Sequence, residues 1–105
     1  MATVRKTIED SLKLIDEITE HLYKQEVTLG YQKLNTAITT ITEAINLIFE
    51  YKKINPDFEL DEKKIVDTFT EALNAMEAKD IILLADILQY EITEQFNEIL
   101  EQIHE

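Results

Sequence analysis

Imidazoles, thiols and carboxylates do most enzymatic work, and this chain supplies them very unevenly. It has no cysteine, two histidines (His21 and His104) and 22 acids among 105 residues. Thiol nucleophiles, thiolate metal sites and disulfides are therefore absent. No glycine-rich phosphate loop and no Gly-x-Ser-x-Gly element occurs. Glu101-Gln102-Ile103-His104 has the Glu-x-x-His spacing of carboxylate di-iron bundles. Such sites take two copies of that motif plus two further glutamates, all facing the bundle core. Here there is one copy, in the last turn of the chain, and Ile103 is the core-facing neighbour. Glu17 and His21 stand four apart, the spacing of a surface pair on a helix. Elsewhere acids fill about one position in five, so carboxylate spacing alone carries no information. The expectation is no catalytic residue, no cofactor and no metal.

Charge narrows the partners. The formal net charge is −12. A surplus of carboxylates repels a phosphate backbone and an anionic lipid surface, so neither nucleic acid nor membrane is expected as a partner. The charge is also lopsided. Beyond Lys79 there is no lysine or arginine, whereas Asp80, Asp86, Glu91, Glu94, Glu98, Glu101 and Glu105 are acidic. This run reads either as a solvated helix face or as an electrostatic guide for a basic partner. Met1 to Lys6 lead into an amphipathic pattern and not an apolar signal core, and no apolar run reaches membrane-spanning length. A cytoplasmic, soluble protein is the expectation.

The elements that must position any site are helices. Gly30 and Pro56 are the single glycine and proline, and an all-β domain needs many such turn residues. A chain of this length forms one domain with one core, here residues 1–105. The first helix is predicted from about Thr3 to Gln25, with Val4, Ile8, Leu12, Ile15, Ile18 and Leu22 spaced three or four apart. Either Thr3 or Thr7 can start it; Thr7 and Asp10 resemble a capping box. Glu26-Val27-Thr28-Leu29-Gly30 breaks the pattern, with Gly30 closing the first helix or Thr28 capping the second. The second helix runs to about Lys53 on Leu34, Ala37, Ile38, Ile41, Ile45, Ile48 and Phe49. Thr39-Thr40-Ile41-Thr42 is the most strand-like stretch, but the surrounding periodicity is helical. Asn55-Pro56-Asp57 marks a loop. Asp61 is the predicted N-cap of a third helix, with Leu60 and Ile65 at staple spacing and Ile65, Phe69, Ala72, Leu73 and Met76 facing the core. Past Met76 the apolar phase jumps to Ile81, Ala85, Leu88, Ile92, Phe96, Ile99 and Ile103. That jump predicts a tight break at Ala78 to Asp80, with Asp80 as N-cap. The predicted fold is an all-α antiparallel four-helix bundle. The alternative is three helices, the last two fused into one.

The last helix carries the pattern most relevant to function. Ile81, Ile82, Leu83, Leu84, Ala85, Ile87, Leu88 and Tyr90 make its first turns apolar nearly all round. A surface helix shows one apolar stripe; Leu83, Ile87 and Tyr90 form a second. Either the domain's own helices cover both stripes, or the second is an interface. Asp86 within this stretch is either a buried acid bonded by Thr or Lys side chains of another helix, or a polar edge. The candidate interface is Leu83, Ile87 and Tyr90, rimmed by Asp86, Glu91 and Glu94.

The segment Lys79-Asp80-Ile-Ile-Leu83-Leu84-Ala85-Asp86-Ile-Leu88-Gln-Tyr90-Glu91 is similar to one found in short uncharacterised helical proteins of low-GC Gram-positive bacteria. Those share a Lys-Asp, Leu-Ala-Asp and Tyr-Glu order, often followed by proline; here Thr93-Glu94 follows instead. The resemblance implies an intracellular bacterial protein, with no activity or substrate attached. Fifteen isoleucines against three valines fit an AT-rich genome. Tyr90-x-x-x-Glu94 also has the spacing of the tail signal in the WXG100 helical hairpins, but their Trp-x-Gly is missing because the chain has no tryptophan. The functional expectation is a non-enzymatic protein–protein interaction module, an adaptor or helical chaperone. A self-associating structural subunit is the alternative, followed by a carboxylate metal-binding bundle or enzyme. The partner is accordingly another protein or a second copy of the chain.

Overall fold

A computed structural model describes residues 3–104; Met1, Ala2 and Glu105 lie outside the described residues, and with them the start of the N-terminal segment and the last of the acids named above. Helix α1 spans Val4–Tyr23, α2 spans Val27–Ile54 and α3 spans Glu62–Glu77. Helix α4 covers 81–102 and is built of three pieces: α-helical Ile81–Asp86, π-helical Ile87–Ile92 and α-helical Thr93–Gln102. The result is an all-α antiparallel four-helix bundle, and the break between α3 and α4 lies where the phase jump puts it.

Each start has a local cause. Thr3 caps α1 by accepting from Lys6 N at 3.0 Å, which decides between Thr3 and Thr7. Asp61 caps α3 through Lys64 N at 3.0 Å, and Asp80 caps α4 through Leu83 N at 3.3 Å. These bonds satisfy amide groups that a helix start leaves without intrahelical partners.

The turn between α1 and α2 differs from the prediction. Neither Gly30 nor Thr28 makes it. Gln25 adopts a left-handed φ of 61°, and the amides of Gln25 and Glu26 bond back to the carbonyls of Leu22 and His21. This is a Schellman closure with glutamine where glycine is usual. Lys79, with φ 58°, closes α3 in the same way. Gly30 lies inside α2 and is buried against Leu22 of α1. It serves close helix approach and not chain reversal.

The main packing runs α2 against α1, α1 against α4, and α4 against α3. Helices α1 and α4 are thus the inner pair, and the backbone measures 42 × 26 × 18 Å. Ile8, Ile15, Ile18 and Leu22 of α1, Ala37, Ile41 and Ile48 of α2, and Leu84, Leu88 and Phe96 of α4 form the fully buried centre. Helix α3 contributes Ile65, Thr68, Ala72 and Ala75, while Phe69 and Met76 flank this face. The α3 face is therefore rotated from the predicted one, and its small residues allow α4 to approach closely. Buried hydroxyls are bonded within their own helices: Thr7 to Thr3 O, Ser11 to Thr7 O and Thr19 to Ile15 O. Thr39, Thr40 and Thr42 do the same on the exposed side of α2. This turns a strand-like cluster into helix-compatible residues.

Long-range polar ties lock the register. Arg5 Nη2 donates to the carbonyls of Leu100 and Ile103 at the C-terminal end of α4, where cations are favoured. Gln95 donates to Thr68 in the buried α3–α4 seam at 2.9 Å. The Gln102 amide pairs with both backbone groups of Glu59. Lys52 donates to Pro56 O and Phe58 O, and Phe58 is buried edge-on to Tyr51, ring centres 5.2 Å apart. The loop after α2 is thus anchored at both ends.

Candidate interaction surface

The predicted stripe on α4 divides. Ile87 is 1% exposed and belongs to the core, so it is corrected from interface to packing residue. Leu83 is 47% exposed and Tyr90 63% exposed. Two causes separate them. Helices α1 and α3 cover α4 from both sides, which buries Leu84, Ala85, Ile87 and Leu88 together. The π segment then widens the turn between Ile87 and Ile92, with Thr93 N bonded to Leu88 O five residues back. In a wider turn each residue rotates the chain less, so Tyr90 turns away from the buried face that holds Ile87.

Asp86 is exposed and is neither buried nor bonded by Thr or Lys. Its Oδ1 accepts a 2.6 Å hydrogen bond from the Tyr23 hydroxyl at the end of α1. Partial burial raises the ionisation of Tyr23 well above the usual phenol range, and the bond to Asp86, its charge and the neighbouring Tyr90 hydroxyl add to this. Tyr23, Asp86 and Tyr90 therefore form one cluster across α1 and α4. Tyr23 is 41% exposed, and Ile82, one turn before Asp86, is also exposed. Glu91 and Glu94 lie exposed further along α4. Gln89 reaches the other way, with Oε1 2.8 Å from the Thr19 hydroxyl.

Tyr23 and Ile82 join the surface although the sequence reading did not assign them to it. Ile82 was visible as part of the all-round apolar stretch. Tyr23 gave no signal, because it stands 63 positions from Asp86 and only the α1–α4 packing joins them. Leu83 faces the α3 side, where it lines a groove of about 350 Å³ with Asn74, Ala75, Ala78 and Ile87. At the same end of the bundle, Val27, Thr28, Tyr31, Gln32, Lys79 and Ile81 line an open groove of about 490 Å³.

The candidate metal pairs come apart. Glu17 bonds Lys33 of α2 at 3.4 Å, and His21 lies 3.3 Å from Glu26. His104 lies beyond the last helical residue and is exposed, while Ile103 is buried. Among the described residues no group of three or more His, Cys, Asp or Glu side chains is placed to hold a metal ion. Nor is any helix of the described residues long and apolar enough to cross a membrane.

No curated protein and no solved structure matches the chain. A protein family does match, over residues 2–102, nearly the full length and all four helices. The chain belongs to this family, DUF8042, a domain of unknown function.

Proposed function

We propose that the chain is a non-enzymatic protein–protein interaction module, an adaptor or helical chaperone, that meets its partner along the N-terminal half of α4. The carrying observation is the exposure of four large side chains, Tyr23, Ile82, Leu83 and Tyr90, at the α1–α4 end of the bundle. Apolar groups of this size left in water favour association. Tyrosine suits such a surface, since its ring packs while its hydroxyl stays wet. Asp86, Glu91 and Glu94 supply an acidic rim, which favours a basic protein over nucleic acid or anionic lipid. The α4 segment's resemblance to bacterial helical proteins supports a cytoplasmic bacterial setting, which fractionation of source cells tests.

A photo-crosslinking residue at position 82 tests the reading in source cells. A discrete adduct with one other protein is expected, rebuilt from purified components and absent when the crosslinker stands at the exposed position 63. A chain that crosslinks only to itself overturns the adaptor and leaves the second reading, a self-associating subunit. That reading draws on the same exposed residues, which a two-fold axis would pair. Salt separates the two: low salt weakens a homodimer that brings acidic rims together, whereas added salt weakens a complex with a basic partner. Purified, desalted protein is expected to hold no full equivalent of iron, zinc or manganese; one equivalent would favour the carboxylate metal-binding reading instead.

A further inference from the structure

We infer that Tyr23, Asp86 and Tyr90 form a seat for an arginine side chain of a different protein; this rests on the interaction reading above. Asp86 presents an exposed carboxylate of which one oxygen, Oδ1, is held by Tyr23. Its second oxygen has no hydrogen bond, and the group makes no ion pair among the described residues. The nearest cation along α1, Lys24, is paired with Glu20 at 3.0 Å. Some exposed carboxylates of this chain pair with a lysine, as in Lys6–Asp10 and Lys63–Asp67; Asp86 is held instead by a tyrosine hydroxyl of another helix.

The rings complete the site. Tyr23 bonds the carboxylate directly, Tyr90 stands four positions beyond Asp86 on the same helix, and both tyrosines retain substantial exposure. A cation near tyrosine faces is attracted by the ring quadrupole. Guanidinium fits this combination better than ammonium, because its plane stacks on a ring while its edge donates to a carboxylate. The Tyr23 bond steadies the acceptor before the ligand arrives, which lowers the ordering cost of binding. Downstream, α4 has no basic residue, so the local field draws a cation toward it.

The occupant is not a second copy of this chain. Arg5 is the chain's one arginine, and it is engaged with the carbonyls of Leu100 and Ile103. The arginine must come from another protein, with apolar neighbours that meet Ile82 and Leu83.

The test uses the full chain and a short apolar peptide carrying one arginine, with the citrulline peptide as its uncharged match. The chain has no tryptophan, so its emission comes from its four tyrosines, and ring resonances of Tyr23 and Tyr90 separate binding at the seat from any change at Tyr31 and Tyr51. Saturable quenching by the arginine peptide is expected, weaker by roughly tenfold for the citrulline peptide and for the Asp86→Asn variant. Tyr90→Ala should weaken it as well, and the lysine peptide should bind less tightly than the arginine peptide. Equal binding of the arginine and citrulline peptides overturns the seat, as does an Asp86→Asn affinity within about twofold of the original or no saturable quenching at millimolar peptide. Circular dichroism checks that each variant is folded. An adduct at position 82 that survives Asp86→Asn refutes the seat alone; absence of any heteromeric adduct from the crosslinker-bearing chain with Asp86 intact refutes the interaction reading.

Discussion

At the scale of single residues, two positions depend on where a side chain begins. A Cβ added at Gly30 would stand 2.6 Å from Leu22 Cδ2 and 3.2 Å from its Cγ. Alanine is intrinsically better than glycine in a helix by about 1 kcal/mol, so a free α2 would gain from Gly30→Ala. Leu22 is fully buried and cannot retreat into water, and overpacking of this kind costs roughly 1–3 kcal/mol. Gly30→Ala is therefore expected to lower stability by about 1 kcal/mol in urea unfolding; a stabilised variant would show that α1 and α2 yield at this point. Asp80 acts through its cap. Asp80→Ala should cost about 1 kcal/mol by the same measurement. Because Lys79 still supplies the left-handed closure, backbone chemical shifts should keep the break at Ala78 to Asp80. Unbroken helical shifts from Lys64 to Phe96 in the unsubstituted protein would contradict the four-helix arrangement.

At the scale of elements, α4 decides most of the molecule's character. It is apolar nearly all round at its start because α1 and α3 both cover it. Ile87→Ala should then remove core packing and cost about 2–5 kcal/mol. Leu83→Ala, at a half-exposed rim position, should change stability by no more than about 0.5 kcal/mol while weakening association. If Ile87→Ala proves as mild as Leu83→Ala, the division of the stripe drawn above is wrong. The two tight turns share one design. Glu26 and Asp80 each serve both as the residue that completes a Schellman closure and as the N-cap of the next helix. Of the two, Asp80 caps through its side chain, whereas the Glu26 side chain makes no cap and meets His21 instead.

At the scale of the whole molecule, charge and the α1–α4 tie set the response to alkali. The Tyr23 proton is held more tightly in the folded chain than in the unfolded chain, whose phenols ionise near about 10. The contribution of that proton is complete below the unfolded value and is lost as pH rises through the higher folded value. Alkaline ultraviolet titration should show a late tyrosine ionisation, and Tyr23→Phe should abolish that step. Stability of the unsubstituted chain should fall above pH of about 10 more steeply than that of Tyr23→Phe. Identical alkaline profiles for the two proteins would mean that the Tyr23–Asp86 bond is not kept in solution.

Periodicity and the scarcity of glycine and proline determined the helical class, because three-four spacing of apolar residues buries one face of a helix; the phase jump past Met76 favoured four helices over three, and Pro56 marked the loop at Asn55-Pro56-Asp57. Local chemistry determined the caps at Asp61 and Asp80, since a cap is decided within four residues of chain. Tertiary structure decided what depends on neighbours distant in sequence. The α1–α2 turn was hidden because a left-handed glutamine carries no glycine signature. Gly30 looked like a helix end because only the position of Leu22 shows that it is a contact. The π segment shifted Tyr90 relative to Ile87, and no residue type announces such a segment; packing against α1 and α3 on both sides accompanies it. The candidate surface was half legible for the same reason. Leu83, Asp86 and Tyr90 stand on one element and share its periodicity, whereas Tyr23 joins them only when α1 and α4 lie antiparallel and bring residues 63 positions apart within 2.6 Å.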